Sequence, residues 1–325
     1  MVTLRDVANK AGVAVSTASY ALNNSSKISL ATRKKVHKAS RDLGYQPHGI
    51  ARNLKKQKTE TIGLFLNDLS GPYYSEVIQG VQDVVSAHGY DLIVGSASGG
   101  TNSTAYKFLL EKRVDGAVIL APKINDAEIS RVAKASLPII VLDRRLDSDY
   151  IKYVLIDNLN GAYQAVSHLI NRGYHKIVYL SGPEDSFDNQ ERFKGYQRAL
   201  LENGFNLMPQ RIISGNFTEK EGYQVISGFL AQEERIDAIF SANDEMAIGA
   251  IQAIREMSFK IPDDIAIVGF DDIRLASYIN PPLTTIRHPK YEMGRFATNM
   301  VFQVLHGSKA ESVVLPTQLI TRQST

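Results

Sequence analysis

The sequence predicts a protein in two parts: an all-α helix-turn-helix head, followed by an α/β body built on parallel sheets. The chain has 325 residues, about twice the roughly 150 residues expected of one domain. Its positive charge is concentrated near the N-terminus, in a segment with helical apolar periodicity. From Thr61 onward, short β-rich apolar runs alternate with helical segments, the pattern of a parallel sheet covered by helices on both faces.

The charge of the chain is divided unevenly. Residues 1–58 contain twelve Lys/Arg and two Asp, a net charge of +10, whereas the other residues contain 25 Lys/Arg and 32 Asp/Glu, a net charge of −7. A small basic segment on a mildly acidic body is typical of a nucleic-acid-binding module joined to a second module. A basic solvated tail is the alternative, but this segment has the apolar periodicity, caps and turns of a folded unit.

Two short helices open the head. Thr3 and Asp6 have the spacing of a capping box, and the helix that follows ends in a turn at Gly12. A second helix over 15–22 buries Ala18, Ala21 and Leu22. Helix, short turn and helix form the unit whose second helix enters the major groove of DNA. The residues left on the outer face of that helix are Val15, Ser16, Thr17, Ser19 and Tyr20.

A third helix is predicted from Ser29 to Gly44. Its periodicity places four apolar side chains inward, those of Leu30, Val36, Ala39 and Leu43. It places five cations outward, those of Arg33, Lys34, Lys35, Lys38 and Arg41. These cations suit contacts with DNA phosphates, which position a protein without reading sequence; an ordinary solvated helix face explains any single lysine equally well.

The body repeats the pattern of strand and helix. The predicted strands cover 62–67, 91–95, 117–120, 139–143, 154–157, 177–181, 238–242 and 265–270. Parallel sheets bind ligands beyond the carboxyl ends of their strands, and several of these ends carry polar residues, among them Asp143, Asn243 and Asp271. Such a cluster suits a pocket for a polyol, because each buried hydroxyl needs a fixed partner. For each residue taken alone, capping of the following helix is the competing interpretation.

Composition excludes several classes. The chain has no cysteine, so it has no disulfides or thiolate sites, which fits a cytoplasmic protein. No apolar run reaches the ~18 residues of a membrane helix, and the N-terminus lacks the apolar region of a secretory signal. An enzyme is not expected. The glycine-rich run 95–100 lacks the dinucleotide-binding spacing, and Asp271 and Asp272 would face apart in an extended chain. The histidines lack metal-ligand spacing, so neither a metal nor a cofactor is expected.

The head resembles that of the lactose/galactose repressor (LacI/GalR) family. The resemblance lies in the run from Thr3 to Val13, in Ser16-Thr17-Ala18-Ser19, in Leu22-Asn23 and in the segment from Thr32-Arg33 through Leu43 to Pro47. The next segment, from Pro47 to Leu54, matches the family's hinge helix, whose leucine wedges into the minor groove; such a wedge bends the duplex. The resemblance assigns DNA contacts to Thr3, Val15, Ser16, Thr17, Ser19, Tyr20, Asn23, Arg33, Ala51, Leu54 and Lys55.

One position departs from the family pattern. Tyr20 stands where the family most often has arginine, and tyrosine cannot reproduce the bidentate contact of arginine with guanine. The operator half-site therefore cannot be copied from a relative, and a phosphate contact is an alternative role for Tyr20.

The body resembles periplasmic sugar-binding proteins over 60–325. The most specific motifs are 243–249, Val268-Gly269-Phe270-Asp271-Asp272 and 282–286. The resemblance implies two lobes, about 60–160 plus 290–322 and about 161–288, after a DNA-binding domain at 1–46 and a hinge with linker at 47–59. It assigns effector contacts to Tyr73, Tyr74, Asp143, Arg192, Phe217, Asn243 and Asp271. Residues 184–188 follow no relative closely.

Together the resemblances imply a transcriptional regulator, most often a repressor, that binds a palindromic double-stranded DNA operator as a homodimer. A small sugar-like molecule in the cleft between the lobes would change the spacing of the two heads. The family's tetramers use a C-terminal leucine-heptad tail, which is not present before Thr325, so a dimer is expected. The alternatives are a sugar-binding protein without a DNA role and a regulator that uses a phosphorylated protein as co-effector.

Overall fold

The computed structural model describes residues 2–23, 25–45, 58–67, 69–232 and 235–325. The chain divides into two compact units, Met1–Thr59 and Glu60–Thr325. The first unit is helical and the second is an α/β unit with two sheets, so the predicted fold class is confirmed. The predicted hinge over 47–59 lies outside the described residues, apart from Lys58 and Thr59.

The described part of the head contains three helices, α1 (Leu4–Ala11), α2 (Val15–Leu22) and α3 (Leu30–Asp42). The turn after α1 is built on Gly12, whose φ of 60° is a left-handed conformation that glycine adopts without a steric penalty. Ser29 begins α3 by accepting a hydrogen bond from the backbone N–H of Thr32. The predicted extents of the three helices are therefore confirmed to within a residue or two.

The core of the head consists mainly of small side chains, which let the three helices approach closely. Its buried members are Val7, Ala8, Ala11, Ala18, Ala21, Val36 and Ala39. One prediction is wrong: the side chain of Leu30 is 69% exposed. Leu30 is the first residue of α3, and Ile28, which precedes the cap, packs against the core in its place.

The body has twelve strands and eight α-helices among the described residues. The strands are β1 (Thr61–Leu66), β2 (Asp91–Ser96), β3 (Gly116–Leu120), β4 (Ile139–Val141), β5 (Ile151–Ile156), β6 (Ile177–Ser181), β7 (Ile212–Ser214), β8 (Ala238–Ser241), β9 (Ala266–Asp271), β10 (Thr284–Arg287), β11 (Val313–Leu315) and β12 (Gln318–Ile320). The helices are α4 (Tyr74–Ala87), α5 (Thr104–Leu110), α6 (Asp126–Val132), α7 (Asn158–Asn171), α8 (Phe187–Glu202), α9 (Glu219–Leu230), α10 (Asp244–Glu256) and α11 (Lys290–Leu305).

The strands form two six-stranded sheets, of order β11-β5-β4-β3-β1-β2 and β12-β10-β9-β8-β6-β7. Every pairing is parallel except that of β12 with β10. The inner strands β1, β3, β8 and β9 are buried along their whole length, as sheets covered on both faces require. Strands β7, β10, β11 and β12 were not among the predicted runs, because three or four residues carry too weak a periodic signal.

The chain passes between the two sheets three times: after β5, after β10 and after β11. The prediction that the first lobe includes residues up to 322 is wrong at its end, because β12 pairs with β10 in the second sheet. Arg322 also belongs there, since its guanidinium donates to the carbonyl of Leu283 at 2.7 Å. The crossing therefore lies between Leu315 and Gln318.

Glycines allow the helices that cover the sheets to pack at very short range. A Cβ added to Gly249 of α10 would lie 2.0 Å from the carbonyl oxygen of Glu219, which begins α9. A Cβ on Gly80 of α4 would lie 2.1 Å from the carbonyl oxygen of Tyr291 in α11. No side chain fits these sites, and so the glycines set the distance between the paired helices.

We expect Gly249→Ala to lower the free energy of unfolding by about 1–3 kcal/mol, because the added methyl group must push α9 and α10 apart. Gly228→Ala in α9 is the matched control. It is helical and exposed, with no atom within 4 Å of an added Cβ, so this change is expected to stabilise the protein by about 0.4–1 kcal/mol. Thermal unfolding of both variants tests the prediction, and equal shifts in the midpoint would contradict it.

Candidate functional site

The outer face of α2 is open in the head. Val15 and Tyr20 are 42% and 40% exposed, Ser16 is exposed, and Thr17 and Ser19 are half-buried. No side chain caps the N-terminus of the helix, where Ala14 stands. The helix thus presents side chains and backbone N–H groups to the surface, which are the two kinds of donor used against base edges and phosphates.

Two of the predicted DNA-contacting residues at the ends of α1 and α2 already make bonds within the head. The Thr3 hydroxyl and its backbone N–H both donate to the Asp6 carboxylate at 2.8 Å, and the Asp6 N–H donates back to Thr3 at 3.3 Å. These bonds confirm the predicted capping box, and they lower the pKa of Asp6. The side-chain amide of Asn23 donates to the carbonyl of Ser19 at 2.9 Å.

The cations of α3 fall into two groups. Lys34, Lys35, Lys38 and Arg41 are exposed. Arg33, predicted to point outward, is half-buried, and its Nε donates to the carbonyl of Ile28 at 3.1 Å. The three remaining predicted contacts, Ala51, Leu54 and Lys55, lie outside the described residues.

In the body, a group of polar and aromatic side chains lies near the carboxyl ends of the strands, and we call it the cleft. Its members are Tyr73, Asp143, Asn158, Asp188, Arg192, Phe217, Asn243, Asp271 and His288. Arg192 of α8 is the centre of the group and is 3% exposed. Its Nε donates to Asn158 at 2.8 Å, and one Nη donates to the carbonyl of Ala242 at 2.5 Å. These bonds join α7, α8 and the end of β8.

The charge of Arg192 is balanced on one side by Asp271. The other Nη lies 3.6 Å from the Asp271 carboxylate, and the guanidinium carbon lies 3.8 Å from the centre of the Phe270 ring. A guanidinium over an aromatic face is stabilised by a cation–π interaction. These contacts fix the position of Arg192 without a ligand. Some of its N–H groups can still donate to a ligand.

Asp271 adopts an unusual backbone conformation at the end of β9. Its φ is 113° and that of Asp272 is 50°, both unfavourable for residues with a Cβ. The pair is therefore not extended, so the expectation that the two side chains face apart in an extended chain does not apply here. The two carboxylates still have different partners: Asp271 faces Arg192, whereas Asp272 accepts from Arg287 and Arg322, each at 2.6 Å. These two cations lower the pKa of Asp272 against the opposing effect of its burial.

Lys290 ties this strained turn to the first lobe. Its side chain is 2% exposed, and its ammonium donates to the backbone carbonyls of Asp271 and Asp272. The same ammonium lies 3.4 Å from the carboxylate of Glu76 in α4. A buried charge of this kind is tolerated only with several partners, and here those partners come from both lobes.

Asn243 has two structural roles. Its Oδ1 accepts from the N–H of Met246 at 3.0 Å and so caps α10, while its Nδ2 donates to the carbonyl of Phe217 at 2.9 Å. The capping interpretation is confirmed for this residue. Phe217 itself has a φ of 60°, and its ring packs over Gly182, where an added Cβ would lie 2.2 Å from the ring.

The first lobe contributes Asp143, Tyr73 and Tyr74. Asp143 accepts two hydrogen bonds from Arg144, at 2.8 and 3.0 Å; burial nevertheless raises the pKa of Asp143, with Arg144 opposing it. The Tyr73 ring lies 5.4 Å from that of Tyr74, edge to face, and 5.6 Å from that of His288. Burial, together with the charges of Asp271 and Asp188, raises the pKa of Tyr73, so its hydroxyl stays protonated.

Four further polar residues, Asn67, Asn158, Asp188 and His288, are not among the effector contacts assigned by the resemblance; the sequence does place Asn67 and Asn158 among the polar strand ends that suit a polyol pocket. Asn158 donates to the Asp188 carboxylate at 2.7 Å and accepts from Arg192. Burial raises the pKa of Asp188 to about 6; the positive charge of Arg192 opposes this rise, and the negative charges of Asp143 and Asp271 add to it. His288 is buried, which lowers its pKa, and its Nδ1 has no hydrogen-bond partner among the described residues. The Oδ1 of Asn67, at the end of β1, is another buried acceptor with no such partner.

Other kinds of site find no support in the described ranges. No group of three or more His, Cys, Asp or Glu side chains there is arranged to hold a metal ion. Within the same ranges, no helix has the length and apolar character needed to cross a membrane.

A helix-turn-helix unit and a two-lobed α/β unit with a polar cleft together define a DNA-binding regulator with a ligand-binding body. Comparison with known proteins agrees. Residues 3–48 match the family model described as "Bacterial regulatory proteins, lacI family", and residues 166–325 match the model "Periplasmic binding protein-like domain". The HTH-type transcriptional repressor PurR of Erwinia tasmaniensis is 36% identical, over 100% of this chain and 97% of that protein.

Solved structures are similar over the whole chain. The lac repressor dimer bound to operator and the anti-inducer ONPF has a TM-score of 0.81 at 28% identity, covering 100% of this chain and 99% of that one. The transcriptional regulator CelR in complex with cellobiose has a TM-score of 0.75 at 29% identity, covering 100% of both chains. The chain belongs to the LacI family of bacterial transcriptional regulators.

The capping box gives a local prediction for the head. Thr3→Ala removes the cap of α1 at a cost of about 1 kcal/mol, so amides of α1 in the full-length protein should exchange with solvent roughly five-fold faster. Thr3→Ser keeps the hydroxyl and should exchange nearly as the wild type does. Hydrogen exchange followed by mass spectrometry measures this, and equal rates in the alanine and serine variants would contradict the role of the cap.

Proposed function

We propose that this protein is a repressor that binds a palindromic operator as a homodimer and is controlled by a sugar or sugar derivative bound in the cleft. One observation carries the proposal: a single chain joins a head with an exposed helix face to a body whose polar cleft is centred on the buried Arg192. The first part suits DNA contact, and the second suits a hydroxyl-rich ligand.

The head supplies the DNA contacts in this proposal. The exposed side chains of α2, Val15, Ser16 and Tyr20 among them, meet base edges in the major groove, with Thr17 and Ser19 beside them. Thr3, Asn23 and the cations of α3, including Arg33, lie against phosphates. Thr3 and Asn23 keep their internal bonds, because an oxygen or amide engaged in a cap still has capacity for a second partner.

The segment 47–59 acts as a hinge between the DNA-binding domain, 1–46, and the effector-binding and dimerisation domain, 60–325. Ala51, Leu54 and Lys55 contact DNA at the minor groove, with Leu54 as the apolar wedge. A dimer follows from the length of α2: one helix of eight residues reads few bases, and two-fold symmetry matches a palindromic site.

The effector lies among Tyr73, Tyr74, Asp143, Arg192, Phe217, Asn243 and Asp271. Aromatic rings pack on the apolar faces of a sugar ring, while carboxylates and a guanidinium satisfy its hydroxyls. CelR, whose solved complex contains cellobiose, is similar over its whole length, which supports a sugar as the class of ligand.

Control requires that the effector bind one arrangement of the lobes more tightly than another. Lys290 supports a route for this coupling, because it contacts the turn that presents Asp271 and also Glu76 of the first lobe. A ligand that forms hydrogen bonds with Asp271 would change the contacts of Lys290. The angle between the lobes would change as a consequence.

We expect operator affinity to fall steeply with salt, since the exposed cations of the head neutralise phosphates. Each neutralised phosphate adds about 0.9 to the slope of log K against log salt. Replacing Lys34, Lys35 and Lys38 with alanine should reduce the slope by about that amount for each lysine that contacts a phosphate. Fluorescence anisotropy with DNA selected from a random pool measures it. The control is Lys107→Ala, which replaces an exposed lysine of the body. An equal slope in both variants would contradict the proposal that the lysines of α3 contact phosphates.

We expect Arg192→Ala to abolish the response to effector while leaving operator binding intact. The variant loses charge-assisted hydrogen bonds to the ligand that are worth about 1.5–3 kcal/mol, so the affinity for the ligand should fall by roughly 10- to 100-fold. Arg198→Ala, on the same helix but exposed and paired with Glu202, should bind as the wild type does. Calorimetry with a sugar found by thermal stabilisation measures both variants. Unchanged affinity in a well-folded Arg192→Ala protein would rule out the cleft as the site.

A further inference from the structure

The side chains of the cleft also constrain the charge of the ligand. Three carboxylates, those of Asp143, Asp188 and Asp271, lie close enough to influence one another. Asp143 is neutralised by Arg144, which binds it with two hydrogen bonds. Asp271 is balanced by Arg192. The third carboxylate, that of Asp188, has no ion-pair partner among the residues that the structure describes; its hydrogen bond there comes from the neutral amide of Asn158. Arg192 also acts on Asp188, so the carboxylates of Asp188 and Asp271 share one guanidinium, and the cleft keeps a net negative charge.

The positive charge of Arg192 is not free to balance an anionic ligand. Two of its three nitrogens donate to Asn158 and to the carbonyl of Ala242, and the third faces Asp271. One face of the guanidinium is covered by Phe270. Remaining N–H groups can each donate to a neutral hydroxyl, but a phosphate placed there would compete with Asp271 for the same charge.

The helix N-termini of the second lobe do not offer an anion site either. An anion usually binds at a helix N-terminus through free backbone N–H groups. Here Asp157 caps α7, Ser186 caps α8 and Asn243 caps α10, each by accepting a backbone hydrogen bond. The first turns of α8 and α10 also carry acids, Asp188 on one and Glu245 on the other, and these repel a second negative charge.

The cleft is instead rich in acceptors. Asp188 and Asp271 can each accept a hydrogen bond from a hydroxyl. Building on the proposed function, we infer that Asp188 is a specificity-determining residue: it accepts hydrogen bonds from hydroxyls of an uncharged sugar and excludes phosphorylated and acidic sugars from the cleft.

The test uses the full-length protein and matched pairs of sugars, each a neutral sugar and its phosphate. Suitable pairs are glucose and glucose 6-phosphate, fructose and fructose 6-phosphate, ribose and ribose 5-phosphate, and cellobiose and cellobiose 6-phosphate. Thermal stabilisation finds the pair that binds, and calorimetry measures both members. We expect the neutral member to bind at least roughly 100-fold more tightly, because a phosphate adds nearly two negative charges to a site that is already negative.

The Asp188→Asn variant removes the negative charge of the side chain and keeps its size and shape. The new side chain keeps an oxygen for Asn158 but lacks the negative charge, so the preference for the neutral member should shrink by about ten-fold or more. Asp185→Asn is the control, since Asp185 is exposed and precedes α8, and it should leave the preference unchanged. Tighter binding of any phosphate than of its neutral partner overturns the inference. An unchanged preference in the Asp188→Asn protein also overturns it.

A second readout uses pH. The groups that face Asp188 are Asn158 of α7, Arg192 of its own helix, Asp271 after β9, and Asp143 and Tyr73 of the first lobe. A hydroxyl donates best to the ionised carboxylate, so binding favours ionised Asp188. With its pKa near 6, affinity for the neutral sugar should rise as the pH rises through about 6 and level off above 7. Asp188→Asn should flatten this dependence, and a flat wild-type profile would count against donation to Asp188.

The two proposals fail in different ways. If no sugar of either kind stabilises a well-folded protein, the sugar effector of the proposed function is wrong, and the role of Asp188 fails with it. If sugars bind but the phosphates bind best, the proposed function stands and only the assignment of Asp188 is wrong.

Discussion

The buried guanidinium of Arg192 organises the second lobe. Removing such a group from water costs several kcal/mol, and the cost is offset only where its donors meet acceptors of good geometry. Here those acceptors come from α7, from the end of β8 and from the end of β9. Three segments that are far apart in sequence must therefore be in place at once, and the carboxyl edge of the sheet is fixed as a consequence.

Strain at the end of β9 extends this constraint to the first lobe. Asp271 and Asp272 adopt positive φ values, which other contacts must stabilise. Those contacts are the ammonium of Lys290 on their carbonyls and the cations Arg287 and Arg322 on the Asp272 carboxylate. Because Lys290 also lies beside Glu76, the conformation that presents Asp271 to the cleft depends on how the lobes meet. Asp271, a predicted effector contact, and a contact between the lobes are thus parts of one network.

Much of the architecture could be predicted from the sequence, because short sequence patterns such as caps, turns and apolar spacing determine it. The capping box at Thr3, the turn at Gly12 and the apolar spacing of Ala18 and Ala21 define the head. Longer apolar runs define the inner strands. Leu30 was misplaced because periodicity cannot tell which of two neighbouring apolar residues, Ile28 or Leu30, turns inward at a helix end. The edge strand β12 was assigned to the wrong lobe because three residues carry no signal for their partner strand.

The site was harder to predict for a physical reason. Asn158, Asp188 and Arg192 meet through pairings 30 and 34 residues apart along the chain, and no local pattern records such contacts. Where a polar residue follows a strand, the sequence offers two interpretations, a helix cap and a ligand contact, and for Asn243 the structure shows the cap. Its Oδ1 caps α10 and its Nδ2 holds Phe217, so the same amide fixes the helix and positions the aromatic ring. Capping residues at this edge of the sheet are rigid because they cap, and rigidity is what a selective binding surface requires.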